Sequence, residues 1–190
     1  IYLGGGTPSQ LTQEELEEIF SSLYNIYKVK EDAEITLEAN PDDLTPEYIH
    51  MLRTLPINRI SMGIQTFQEE TLKLLHRRHT AQQAIEAFQR CRDAGFQNIS
   101  IDLMYGLPGE TLETWKEDLQ QAINLHPEHI SAYHLIYEEG TALWKLREQH
   151  QVEEADEDLS VTLFKTLIDE LTHAGYEHYE ISNFCLPNLH

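Results

Sequence analysis

Several short stretches of this sequence set side chains that bind or move protons beside apolar runs. Gly4-Gly5-Gly6-Thr7-Pro8 follows such a run. Consecutive glycines let the main chain approach a ligand closely and present bare amides and carbonyls to it. No Gly-Lys-Ser/Thr follows, so this is not a nucleoside triphosphate loop. Glu38 stands in Thr36-Leu37-Glu38-Ala39-Asn40-Pro41, and Gln65 in Ser61-Met62-Gly63-Ile64-Gln65-Thr66-Phe67. Asp102 interrupts the apolar run Ile99-Ser100-Ile101-Asp102-Leu103-Met104. A carboxylate there is costly to bury unless it is paired or used.

These residue types suit a particular ligand chemistry. Carboxylates and an amide accept from hydroxyl and ammonium groups, glycines expose backbone, and Arg77 or Arg78 offers a guanidinium. No lysine is placed to cradle a phosphate. The set matches a ribose joined to an amino acid better than it matches a nucleoside triphosphate. A pair of carboxylates, Glu38 and Asp102, also fits the acid and base of a glycoside hydrolase, and spacing alone leaves that alternative open. The histidines show no His-Glu-x-x-His or other zinc spacing, and His76, His79, His126 and His129 read as helix-end or surface groups. No residue is assigned as a metal ligand.

The elements that must position these residues alternate strand and helix. Ile1–Leu3 reads as a strand, followed by a helix capped by Thr12 with Glu15 three residues on, a capping box. Ile35–Ala39 is the second strand, and Thr45-Pro46 opens the next helix. Arg59–Ile64 is the third, followed by helices over Glu69–Leu75 and Thr80–Ala94, the latter stopped by Gly95. Asn98–Met104 is the fourth, and Thr111 opens a helix to Leu125. His129–Tyr137 is the fifth, followed by helices over Ala142–Glu148 and Glu153–His173, and Tyr179–Ser182 the sixth. The acidic run from Glu153 to Asp158 is read as the solvated first turn of a helix. Single helical segments between strands predict parallel βαβ units with right-handed crossovers. Six strands leave an open partial barrel or a doubly wound sheet, and in both the ligand sits beyond the carboxyl ends of the strands. Glu38, Gln65 and the glycine turn fall at those ends.

Composition narrows the class. A chain of 190 residues without a linker or low-complexity tract predicts one domain, residues 1–190. The formal net charge of −20 argues against nucleic acid or an anionic membrane as partner. No apolar run is long enough to span a membrane. Cys91 and Cys185 make no disulfide framework and suit a reducing cytoplasm. The abrupt start on Ile1-Tyr2-Leu3 reads as an internal piece of a longer protein.

Taken in order, Gly-Gly-Gly-Thr-Pro, Leu-Glu-Ala-Asn-Pro, Ser-Met-Gly-Ile-Gln-Thr-Phe and Ile-Asp-Leu-Met-Tyr-Gly-Leu-Pro-Gly-Glu-Thr resemble the radical S-adenosylmethionine proteins of the oxygen-independent coproporphyrinogen III oxidase family. The resemblance covers essentially the whole chain. It implies a parallel α/β partial barrel of the (βα)6 type, without its first strand. It also implies roles. Gly5, Gly6 and Thr7 would meet the methionine end of S-adenosylmethionine, Glu38, Gln65, Arg77 and Asp102 would line the cofactor pocket, and Ile136 would lie near the adenine. A 4Fe–4S cluster and S-adenosylmethionine would together supply the radical chemistry that the protein orients and shields. The family's Cys-x-x-x-Cys-x-x-Cys loop is absent from this sequence and is expected upstream of Ile1, so the chain alone is expected to be inert. Within the family, Tyr179-Glu180-Ile181-Ser182-Asn183-Phe184 resembles the haem-chaperone branch, whose His-Asn haem-binding motif would fall past His190. That reading makes haem or porphyrin, a haem-acceptor protein and an electron donor the expected partners. Anaerobic oxidative decarboxylation of coproporphyrinogen III is the alternative within the family.

Overall fold

In the computed structural model, which describes residues 1–189, strands and helices alternate as β1 (Tyr2–Leu3), α1 (Gln13–Ile26), β2 (Thr36–Ala39), α2 (Pro46–Leu52), β3 (Arg59–Gln65), α3 (Glu69–Leu74) and α4 (Ala81–Asp93). They continue as β4 (Ile99–Tyr105), α5 (Leu112–Leu125), β5 (His129–His134), α6 (Ala142–Glu148), α7 (Glu157–His173), β6 (Glu177–Glu180) and β7 (Asn183–Cys185). Each longer helix starts where a side chain replaces the missing backbone partner. Thr12, Thr80 and Thr111 close capping boxes with Glu15, Gln83 and Thr114, and Thr45 accepts from the Tyr48 amide.

The sheet order is β1-β2-β3-β4-β5-β7-β6, and the first five strands are parallel neighbours in chain order. A doubly wound sheet reverses direction at a switch point, whereas an open barrel adds strands consecutively. The order therefore selects the open barrel from the two architectures the sequence allowed.

Period-two alternation divides the strands between two environments. Leu37, Ile60, Met62, Ile64, Ile99, Ile101, Leu103 and Ile130 face the helices in a core that also takes in Leu16, Phe88, Trp115, Leu163 and Phe184. The opposite, inner face carries Thr36, Glu38, Ser61, Ser100, Asp102, His129 and Ser131. Register aligns these residues across strands: Glu38 is opposite Ser61, Gly63 opposite Asp102, and Asp102 opposite Ser131. Polar residues on one face of a sheet that is apolar on the other mark the inner face as the one available to a ligand.

The fifth strand, expected to reach Tyr137, ends at His134, and three further features depart from the sequence reading. The last strand expected, Tyr179–Ser182, is strand only over Tyr179 and Glu180, which end β6; Ile181 and Ser182 turn into β7, and β6 and β7 form an antiparallel pair in which β7 runs against β5. The Glu180 carboxylate makes that turn by accepting from the Ser182 amide and the Asn183 side chain (3.1 and 2.7 Å). Cys185, expected beyond the last strand, lies buried within β7. Helix α7 starts at Glu157 because Asp156 caps it, accepting from the Leu159 amide (2.7 Å), so only Glu157 and Asp158 of the acidic run occupy its first turn.

Candidate functional site

The glycine turn, the ends of β2 and β3, and the middle of β4 enclose a cavity of about 220 Å³ on the inner face. Glu38 forms one wall, and both of its oxygens are held. The Tyr2 hydroxyl donates to Oε1 (2.8 Å) and the Gly5 amide donates to Oε2 (3.0 Å). Burial and the bond to Glu38 push the Tyr2 phenol upward, so it keeps the proton it donates. The close approach explains the first glycine: a Cβ on Gly4 would stand 2.5 Å from Tyr2 Cε1 and 2.8 Å from Glu38 Oε1. Gly5 and Gly6 adopt φ of 80° and 69°, left-handed conformations that glycine takes freely.

Asp102 forms the floor. Its carboxyl is raised to about 6 by burial, with the neighbouring Glu38 charge adding and hydrogen bonding from Ser131 and Ser61 opposing. Ser61 reaches both Asp102 oxygens at 3.4 Å.

Gln65 enters through an irregularity. The β3–β4 register shifts between Gly63 and Gln65, and Gln65 has φ of 73°, the only left-handed residue within a strand among the described residues. Strand residues normally alternate faces. Alternation already places Gln65 on the face of Ser61 and Gly63, and the register shift with its left-handed backbone tilts the side chain back over Gly63, the Gln65 amide nitrogen lying 3.0 Å from where a Gly63 Cβ would be.

Arg77 closes the rim. Its Nη2 donates to Asn40 Oδ1 (2.8 Å) and to the Gly63 carbonyl (2.9 Å), while its Nε is buried without a partner. Arg78 is the other guanidinium that the sequence offered, and it is tied elsewhere, to Asp42 and Asp43 at 3.0 Å each.

The structure thus brings together Gly5, Gly6, Thr7, Glu38, Gln65, Arg77 and Asp102. It does not bring Ile136 to them. Ile136 lies past the end of β5, is 75% exposed and takes no part in the cavity lining. Leu135 and Tyr137 turn instead into a second apolar cluster with Leu107, which leaves the residue between them facing out. Sequence reasoning did not single out Tyr2, Asn40 and Ser61. Tyr2 is two residues before Gly4 and Ser61 two before Gly63, so period-two alternation was the signal that could have found both.

The arrangement is one for binding. The Arg77 guanidinium at the rim suits an anion, and two carboxylates with their hydroxyl partners suit an ammonium and a sugar diol. A zwitterionic amino acid carrying a ribose meets these demands, and the left-handed glycines leave the backbone approach open. The glycoside hydrolase alternative fares poorly, since both Glu38 oxygens already accept hydrogen bonds from the protein. The residues described do not fit an iron–sulfur cluster. Cys91, in α4, and Cys185 are both buried, and burial pushes the Cys91 thiol up to about 12. Among the described residues no group of three or more histidine, cysteine or acidic side chains stands close enough to hold a metal. No helix among them is long and apolar enough to cross a membrane.

Comparison with known proteins agrees with this geometry. A sequence profile of the Radical SAM superfamily matches residues 1–122. The chain is 40% identical over 189 residues to the heme chaperone HemW of Lactococcus lactis, covering 100% of this chain and 50% of that protein. It is 36% identical over 190 residues to HemW of Bacillus subtilis, again covering 100% of this chain and 50% of the relative. It therefore spans about half the length of these relatives. Among solved structures, coproporphyrinogen III oxidase (HemN) from Escherichia coli superposes with a TM-score of 0.85 at 26% identity, over 98% of this chain and 43% of that one. The Elp3 protein of Methanocaldococcus infernus shares the fold at a TM-score of 0.72 and 22% identity, over 92% of this chain and 44% of that one. A consecutive parallel sheet, a glycine turn over a two-carboxylate cavity and a matching profile over residues 1–122 together mean that this chain belongs to the radical SAM superfamily.

Proposed function

We propose that this chain is the S-adenosylmethionine-binding part of a HemW-like haem chaperone. The observation that carries the binding assignment is the cavity that Arg77 lines together with the carboxylates Glu38 and Asp102. In this reading the Gly5–Thr7 turn and Arg77 receive the amino acid end of the ligand, Glu38 and Asp102 its ammonium and ribose hydroxyls, and Gln65 one further polar group. The ligand supplies radical chemistry when a 4Fe–4S cluster is also bound. The residues here would orient it and exclude water, and the cluster's thiolates would have to come from outside the described residues. Haem or a porphyrin is the cargo, delivered to an acceptor protein. The 40% and 36% identities to heme chaperones over the full chain support that choice. The continuous core from Leu16 to Phe184 supports reading these residues as one domain.

The second reading is anaerobic coproporphyrinogen III oxidation, favoured by the superposition on HemN. Anaerobic incubation of the intact, cluster-reconstituted protein with coproporphyrinogen III and S-adenosylmethionine separates the two. The chaperone reading expects no protoporphyrinogen, together with transfer of bound haem to an apo-acceptor. Accumulation of protoporphyrinogen would overturn it.

A further inference from the structure

We infer that Asp118, a buried carboxylate in the outer helix layer, is a positioning residue that holds Gln65 aimed into the cavity. The inference rests on the reading of that cavity as a ligand site. Asp118 lies on α5, on the far side of the sheet from the cavity, and is 0% exposed. It accepts from three consecutive residues, the three that follow Gln65. The Thr66 hydroxyl donates to Oδ2, the Phe67 amide donates to Oδ1 (3.1 Å), and the Gln68 side-chain amide donates to Oδ1 (3.2 Å). Thr66, itself 0% exposed, accepts from the Gln68 amide with the same hydroxyl (3.0 Å), so the segment is tied to itself as well as to Asp118.

On the other side of Gln65 the chain is gripped again. The Gly63 carbonyl accepts from Arg77 (2.9 Å), and the Ile64 carbonyl from His79 Nε2 (3.2 Å). Gln65 itself sits between these two grips in the left-handed conformation, which a side chain other than glycine holds only when its surroundings enforce it. A buried carboxylate that served packing alone would be dispensable in favour of an apolar residue. Here all three donors belong to one segment, and that segment is the continuation of the bulge. The geometry makes Asp118 the outer half of a clasp, with its effect delivered on the opposite face of the sheet through the main chain of residues 65–67.

A double-mutant cycle on the intact, cluster-reconstituted protein tests this, with the equilibrium affinity for S-adenosylmethionine as readout. Gln65→Ala and Asp118→Asn are each expected to weaken binding about tenfold, and the double variant also about tenfold, not a hundredfold, because Asp118 has nothing left to position once the Gln65 amide is gone. A purely structural role for Asp118 would weaken binding by the same factor in both backgrounds. That result, or an Asp118→Asn variant with unchanged affinity, overturns the inference and leaves the ligand reading intact. Unchanged affinity in Gln65→Ala overturns both. Should Asp118→Asn fail to fold, Thr66→Val removes one arm of the clasp at nearly constant volume. It is expected to weaken binding about threefold with Gln65 present and not at all in Gln65→Ala, and equal losses in both backgrounds overturn the inference.

Discussion

Glu38 and Asp102 share a cavity, but their surroundings give them different duties. Glu38 receives one hydrogen bond on each oxygen and is presented as a fixed acceptor. Asp102 is raised from 3.8 to about 6, so in the ligand-free protein its ionised form opposes folding. A folded value above the unfolded one means that this opposition is absent below about pH 4 and grows as the pH rises through about 6, reaching roughly 3 kcal/mol. Asp102→Asn is therefore expected to raise the ligand-free melting temperature at pH 8 and to leave it nearly unchanged at pH 4, as thermal unfolding at the two values will show. The same variant is expected to weaken S-adenosylmethionine about tenfold at pH 8, and affinity in the parent protein is expected to decline below pH 6, where the ammonium loses an ionised partner; calorimetric titration across that range measures both. A group that costs stability and gains ligand is common at binding sites. Asp102 was legible in the sequence because a carboxylate inside an apolar strand carries a desolvation cost that only a partner or a ligand offsets. Ile136, placed near the adenine by resemblance, stands exposed past the end of the β5 ladder, where strand alternation no longer orients a side chain.

Helix starts and strand register are what convert those residues into a site. Threonine caps were readable because cap and partner are three residues apart, a distance that a helix alone makes close. Thr80→Ala opens the box at the start of α4, the helix that follows Arg77 and His79, and is expected to cost about 1 kcal/mol in urea denaturation with the slope unchanged. The β6–β7 hairpin was not readable, since its turn is held by Glu180, an acidic residue with no glycine beside it to mark a turn. The start of α7 was obscured in a similar way: in an acidic run, one aspartate that caps looks like any other. The bulge at Gln65 carries no signature of its own in sequence, because glutamine seldom adopts positive φ and its strain is sustained by contacts distant in the chain. Cys91, packed on the inner side of α4 with its thiol raised to about 12, should resist thiol reagents in the native protein. Both cysteines are expected to react with a coloured disulfide reagent only as denaturant unfolds the chain, and prompt reaction of either under native conditions would contradict their burial.

At the scale of the whole molecule, the open inner face and the strong acidity set its company. With a formal net charge of −20, the chain is expected to pass through a heparin column at low salt without retention, and retention would point to a local basic surface that the total charge conceals. The alternation of single helices with strands revealed the parallel α/β class, and the ordered motifs pointed to the partial barrel by resemblance; alternation by itself could not, because barrel or doubly wound sheet depends on which strands become neighbours.

The left-handed Gln65 has one last consequence, for the way this position responds to selection. Glycine accepts that backbone without strain, so Gln65→Gly should relieve about 1 kcal/mol while deleting the side chain that lines the cavity. In a saturation library, sorting for cellular abundance should enrich glycine at position 65, and sorting the same cells for function should restore glutamine. Two rankings of opposite sign at one codon would mark a residue kept for what it touches, against the preference of the fold that carries it.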